Sequence, residues 1–279
     1  MPMPAKRNRQ TRMSKSNKVD EPAGNASFWD HLEVLRWTLM RSVVAVVVAV
    51  VAVFPAVPWL FDHVVMAPCN TNFFLYRMLD AIDGVSAVMP DELAQPFQVS
   101  IININLASQF FLHINLAFWL GFIVCVPYLL FELWRFVAPA LYANEKGKMR
   151  FTLVFGMLMF YVGCCVGYGL VFPLTLRFLY TYQLSAAVSN ELSLTSYMDN
   201  FLTLVFTMGI VFELPLVSLF LSKIGLLRRR FFSTYRRHAI VVLMVVSAFI
   251  TPSSDPFTML AVFLPIYALW ELSALLVKR

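Results

Sequence analysis

The sequence predicts an all-α, polytopic integral membrane protein with six transmembrane helices. Three observations predict it. The chain of 279 residues is 59% hydrophobic and 14% charged, with a mean hydropathy of +0.71; a soluble domain of this length needs more charge to cover its surface. The apolar residues fall in long continuous runs rich in Val, Leu, Ile and Phe, as bilayer-crossing helices require, whereas a membrane barrel would show alternating segments of about ten residues. Lys and Arg cluster at every second inter-run connection, which sets an orientation.

The elements follow in order. Residues 1–27 are polar and carry Lys6, Arg7, Arg9, Arg12, Lys15 and Lys18. With too few apolar residues to fold alone, they read as a disordered basic cytoplasmic tail, and residues 28–279 as one membrane domain. The first apolar run, Ser42–Phe61, has about the 20 residues that span a bilayer. No small-residue cleavage site follows it, so it reads as a retained helix rather than a signal peptide. The second span lies near Phe110–Phe131, approached by the mixed stretch QVSIININLASQ, which suits an interface. The third is Phe151–Phe172, the fourth Phe201–Leu221, the fifth His238–Ile250 and the sixth Phe257–Val277. The fifth covers only about 20 Å at ~1.5 Å per residue, against a core of about 30 Å. Pro252 and Pro256 close it on one side and Arg236 and Arg237 on the other. The sixth is interrupted late by Glu271. Two short neighbours imply a thinned bilayer or inward-reaching water, unless their polar ends continue the helices into water.

Eight Lys/Arg precede the first span, four lie between spans two and three, six between four and five, and two at the carboxyl end, together 20 of 22. The opposite side has Arg77 and Arg177. Both termini are therefore expected in the cytoplasm. The outer loops, about Asp62–Ser108 and Pro173–Asn200, carry Asp80, Asp83, Asp91, Glu92, Glu191 and Asp199 beside Phe73, Phe74, Tyr76, Tyr180 and Tyr182, a composition that can pack as a cap.

No HExxH, GxSxG, P-loop or paired-histidine spacing is present, so no enzyme, cofactor or metal is expected. The four cysteines read as small buried hydrophobes rather than a disulfide framework, and His31, His63, His113 and His238 are scattered. Glu213 stands out in MGIVFELP inside the fourth span, where a charge costs about 2.5–3.5 kcal/mol and Pro215 frees a nearby carbonyl. It reads as a contact for a partner helix or a water-filled cavity, or else as a proton or ion site of a small secondary transporter. Glu33 and Arg36 lie three apart, on one helix face beside Asp30; spacing alone makes them an interfacial ion pair worth about 0–1 kcal/mol. Glu145 could pair with Lys148 in the same way.

Five stretches together resemble the twin-arginine translocase TatC family. HLEVLR resembles its amino-terminal HLxELR, and FVAPALYANEK its first cytoplasmic loop. MGIVFELP resembles FGxxFExP, RRHAIVV the start of the fifth helix, and TPSSDPF with PIYALWE the TPxD stretch and closing helix. The resemblance implies a non-enzymatic receptor in the inner (plasma) membrane. It would bind twin-arginine signal peptides of folded cargo proteins and recruit single-span TatA- and TatB-like partners, with transport driven by the proton-motive force. It also implies a homo- or hetero-oligomer among membrane lipids, with no nucleic-acid role. Carried over by position, Glu145 is the carboxylate for the signal's arginines, with Phe136, Pro139, Leu141, Tyr142 and Lys146 around it. Glu33, with Arg36, stands for the second carboxylate, and Glu213 and Pro215 for the partner-helix contact. Three departures stand out: Val34 holds the usual glutamate position, so Glu33 is rotated by about 100°; Met208 replaces Phe; and TPSSDP is one residue long, leaving the roles of Asp255 and Glu271 open.

Overall fold

In lipid a helix satisfies its own backbone hydrogen bonds, and each apolar run is helical in the computed structural model. It describes residues 28–70, 72–80, 99–137, 146–183, 185, 190–223, 225–251 and 255–277. The basic tail, 1–27, lies outside the described residues.

The helices outrun the apolar segments that announce them. α1 (Phe28–Val53) begins fourteen residues before Ser42. It continues through a 3₁₀ turn (Phe54–Ala56), α2 (Val57–Leu60) and a π-helical turn (Phe61–Val65). Pro55 and Pro58 sit at early positions of their turns, where a missing N–H costs little. A 3₁₀ turn (Ala67–Cys69) and α3 (Phe74–Asp80) follow. After a two-residue strand β1 (Ile101–Ile102) comes α4 (Ser108–Val137), 30 residues with Pro127 inside. The third segment is α5 (Lys146–Val166), a π-helical turn (Gly167–Val171) and α6 (Phe172–Thr181). After β2 (Leu192–Ser193), the fourth is split into α7 (Leu194–Val211) and α8 (Leu214–Lys223). α9 (Arg229–Thr234), α10 (Arg236–Ile250) and α11 (Pro256–Leu276) complete the chain.

Among the described residues, five stretches are long and apolar enough to cross a membrane: Leu32–Met78, Ser108–Phe136, Leu153–Thr181, Leu194–Ser222 and Pro256–Leu276. The expected fifth span is present as α10, but its 15 residues fall below that length. Six crossings are therefore not established by length alone.

Close backbone approaches hold the helices together. α1 and α4 run antiparallel: His113 reaches the Phe54 carbonyl at 3.1 Å, and a Cβ on Gly121 would lie 2.7 Å from Val50 Cα. α5 and the π-helical turn after it meet α7 at Gly163 and Gly167. Phe172, Tyr197, Leu204 and Met208 are fully buried between the segments. Val43, Val44, Val47 and Val48 on α1, and Val241, Val242 and Phe249 on α10, are exposed, as lipid-facing residues should be.

One end of the bundle is closed by the turns and loops. Tyr168 and Tyr197 donate to the carbonyls of Val64 and Val65, so the two π-helical turns lie together. Tyr76 is buried, donates to the Pro68 carbonyl at 3.0 Å and the Pro173 carbonyl at 3.3 Å, and carries the Arg177 guanidinium over its ring. The stretch before α4 is extended, and β1 pairs in parallel with β2, tying the two loops of this end. Asp83, Asp91 and Glu92 lie outside the described residues.

Candidate functional site

The antiparallel register of α1 and α4 builds a cleft at the other end. Arg135 lies fourteen residues after Gly121 and Arg36 fourteen before Val50, so the Val50–Gly121 contact brings the two stretches level. Glu33, Val34, Trp37, Thr38 and Arg41 from α1 and Arg135 and Phe136 from α4 line a space of about 390 Å³. Glu33 is exposed and makes no ion pair among the described residues, with two guanidinium-bearing residues in the same walls. Arg36 is exposed but does not line the cleft. The Glu33–Arg36 ion pair suggested by spacing is not formed: among the described residues the ion pairs are Glu132–Arg135 and Arg236–Glu271.

The segment joining α4 to α5 supplies the other expected residues. Pro139, Leu141, Tyr142 and Glu145 lie outside the described residues, as does the side chain of Lys146, whose backbone opens α5. Phe136, half-buried, lines the cleft one residue before α4 ends.

Glu132 escaped the sequence reading. It is 3% exposed, accepts a hydrogen bond from Tyr128 Oη at 3.0 Å, and has Arg135 Nη1 at 3.9 Å, while its other carboxylate oxygen is buried without a partner. A span drawn to end at Phe131 put this residue outside the membrane segment. The available signal was the Tyr128–Glu132–Arg135 spacing, which puts all three on one helical face.

Glu213 occupies the break between α7 and α8, where Phe212 and Glu213 form a turn and Pro215 is the second residue of the new helix. Both carboxylate oxygens are buried and have no hydrogen-bond partner. Room for the side chain comes from Gly156 on α5, where a Cβ would lie 3.2 Å from Oε2. Glu213 is not part of the α1–α4 cleft; the two candidate sites are separate.

Asp255 and Glu271 are engaged in holding the chain itself. Asp255 caps α11, its Oδ1 accepting the Thr258 N–H at 2.8 Å, with Pro256 beginning the helix. Asp255→Ala is expected to destabilise the protein by about 0.5–2 kcal/mol, read as a lower thermal midpoint; an unchanged midpoint would remove the cap from the account. Glu271 accepts from Arg236 Nη2 at 2.6 Å and from Tyr267 Oη at 3.0 Å, joining α10 to α11. The "interruption" of the sixth span is thus one half of an interhelical ion pair. All four cysteines are free thiols, three of them buried.

Comparison with known proteins agrees with this arrangement. A family model described as Sec-independent protein translocase protein (TatC) matches residues 30–265. Proteins described as Sec-independent protein translocase protein TatC are similar along nearly the whole chain. The one from Blattabacterium sp. subsp. Periplaneta americana is 30% identical, covering 88% of this chain and 92% of its own. The one from Deinococcus radiodurans is 32% identical, covering 90% and 86%. Two crystal structures of a twin arginine translocase receptor, TatC, align with TM-scores of 0.68 and 0.71. They are 29% and 28% identical and cover 88% and 89% of this chain and 97% and 100% of theirs. The resemblance carried by the five short stretches therefore extends over most of the chain, and the chain belongs to the TatC family of Sec-independent protein translocase proteins.

Proposed function

We propose that this membrane-embedded translocase component is the receptor core that binds twin-arginine signal peptides and then recruits single-span partners. The observation that carries the proposal is the α1–α4 cleft. Glu33 and Phe136 line it together, and Phe136 precedes Glu145 by nine residues in the sequence. A guanidinium stays charged and presents a planar fork of donors, so a carboxylate pair is its natural receptor. Arg41 and Arg135 are the counterweight: in an empty cleft they neutralise Glu33 in part, and a signal must displace that attraction to bind. Glu145 and Glu33 hold the arginine pair; Pro139, Leu141, Tyr142 and Lys146 shape the surrounding loop.

The signal's apolar part then lies along the bundle, and Glu213 with Pro215 offers a polar contact to a TatA- or TatB-like helix. In this reading α10 is a sixth, short crossing, both termini are cytoplasmic, and the membrane is the inner (plasma) membrane. The proton-motive force drives transport and the chain does no covalent chemistry. The matched relatives are protein translocase proteins, which leaves the secondary-transporter reading of Glu213 without support.

The test is binding of synthetic signal peptides to the purified chain in nanodiscs, with Arg-Arg and Lys-Lys versions compared. The native chain is expected to prefer Arg-Arg, and Glu145→Ala combined with Glu33→Gln to lose that preference. A charge-assisted hydrogen bond contributes about 1.5–3 kcal/mol, roughly ten- to a hundredfold in affinity. Equal binding of both peptides by the native chain, or full preference in the double variant, would sink the proposal.

A further inference from the structure

We propose that the arginine-rich connection around α9, together with the first turn of α10, is a docking surface for anionic phospholipid headgroups. Between Gly225 and His238 the chain carries Arg228, Arg229, Arg230, Arg236 and Arg237 and no acidic residue. Arg236 is taken by Glu271. Among the described residues, no carboxylate lies within ion-pair distance of the other four. Arg228, Arg230 and Arg237 are exposed and Arg229 is half-buried.

The surface is anchored rather than loose. Phe232 is 2% exposed and packs against Trp270 of α11 with ring centroids 4.8 Å apart and the ring planes tilted by 55°, which fixes α9 to the bundle. Leu226, Phe231 and Tyr235 remain exposed beside the arginines. Guanidinium groups interleaved with exposed apolar side chains match the boundary between headgroups and acyl chains.

The geometry of α10 favours a lipid over a soluble polyanion or an acidic protein segment. Arg237, Val241, Val245 and Phe249 follow one another at four-residue steps, and all are exposed, Phe249 at 87%. From Arg237 to Phe249 the helix rises about 18 Å, slightly more than one leaflet of a core about 30 Å thick. A phosphate held at Arg237 would therefore send its acyl chains along an apolar stripe of matching length. Because α10 is short, such headgroups would be drawn inward around it. A signal peptide bearing arginines would be repelled here, which separates this surface from the α1–α4 cleft. The inference rests on the chain's being membrane-embedded and not on signal recognition.

The experiment measures binding of dioctanoyl phosphatidylglycerol, dioctanoyl phosphatidylcholine and inorganic phosphate to the purified full chain in neutral detergent, by native mass spectrometry. The variants are Arg228→Gln/Arg230→Gln/Arg237→Gln, the single Arg237→Gln, and Arg77→Gln on α3 as a control, with helicity checked by circular dichroism. Each juxtamembrane arginine strengthens attraction to anionic lipid about fivefold. The native chain and Arg77→Gln should thus prefer phosphatidylglycerol over phosphatidylcholine by at least about tenfold, Arg237→Gln should lose about fivefold, and the triple variant should show no preference. Failure of the triple variant to fold leaves the decision to Arg237→Gln. No lipid preference in the native chain, as an acidic protein partner would predict, overturns the proposal. So does full preference in Arg237→Gln, or displacement by equimolar inorganic phosphate.

Discussion

Gly163→Leu is expected to abolish recovery of folded, monodisperse protein. Gly163 lies on α5 where it crosses α7, and a Cβ there would sit 2.6 Å from the Met208 carbonyl oxygen and 2.7 Å from Phe212 Cβ. Neither obstacle is the tip of a side chain that could swing aside, so the helix axes must separate. The same seam continues through Gly167, whose Cβ would lie 2.9 Å from Val205 Cα, and Gly209, whose Cβ would meet Cys164 Sγ at 2.7 Å. Within lipid there is no hydrophobic gain from bringing helices together, so close van der Waals packing at small residues carries the association. Overpacking one methylene into a core costs about 1–3 kcal/mol, and leucine adds four carbons against backbone. Size-exclusion profile and thermal unfolding of the solubilised protein check it; a monodisperse variant with native stability would mean that α5 and α7 do not approach as described.

Glu213→Leu is expected to move stability and function in opposite directions. Both carboxylate oxygens are shielded from solvent and lack partners. An unsatisfied buried polar group costs about 1–3 kcal/mol, and replacing such a group by a hydrophobe of similar size is neutral or stabilising. The isolated chain should therefore unfold at the same or a higher temperature. If the carboxylate is held in readiness for a polar group on a partner helix, the same substitution weakens partner association by about 0.6–1.7 kcal/mol, roughly three- to fifteenfold. Thermal unfolding of the purified chain and co-purification with the single-span partners proposed for it separate the two effects. Parallel losses in both would make Glu213 a structural residue of its own bundle.

The division between legible and hidden features runs along physical lines. Ser42–Phe61 and Phe110–Phe131 mark their helices but stop short of them, because hydropathy reports where lipid is and backbone hydrogen bonding continues past that boundary. That shortfall placed Glu132 outside the membrane segment. The break before Pro215 was visible because proline acts locally. The short fifth helix was visible for the same reason, since Arg236 and Pro252 bound it in the sequence itself. Asp255 could have been read as a helix cap from its place before Pro256 and three before Thr258. Glu271 could not, because its partner Arg236 lies 35 residues away on another helix.

By itself the amino-acid order determined the membrane class, the order of the apolar segments, the basic stretches that alternate between them, and the family, whose short motifs survive at fixed spacing. Each of these is a property of one stretch of chain and its preference for lipid or water. Only the tertiary structure decided which charged residues are neighbours. Glu33 faces Arg135 and Phe136 across a cleft instead of pairing with Arg36, and Glu271 is satisfied by Arg236. The reason is register: the level at which two helices meet is set by backbone contacts such as Gly121 on Val50, and no local pattern encodes which distant glycine will find which valine.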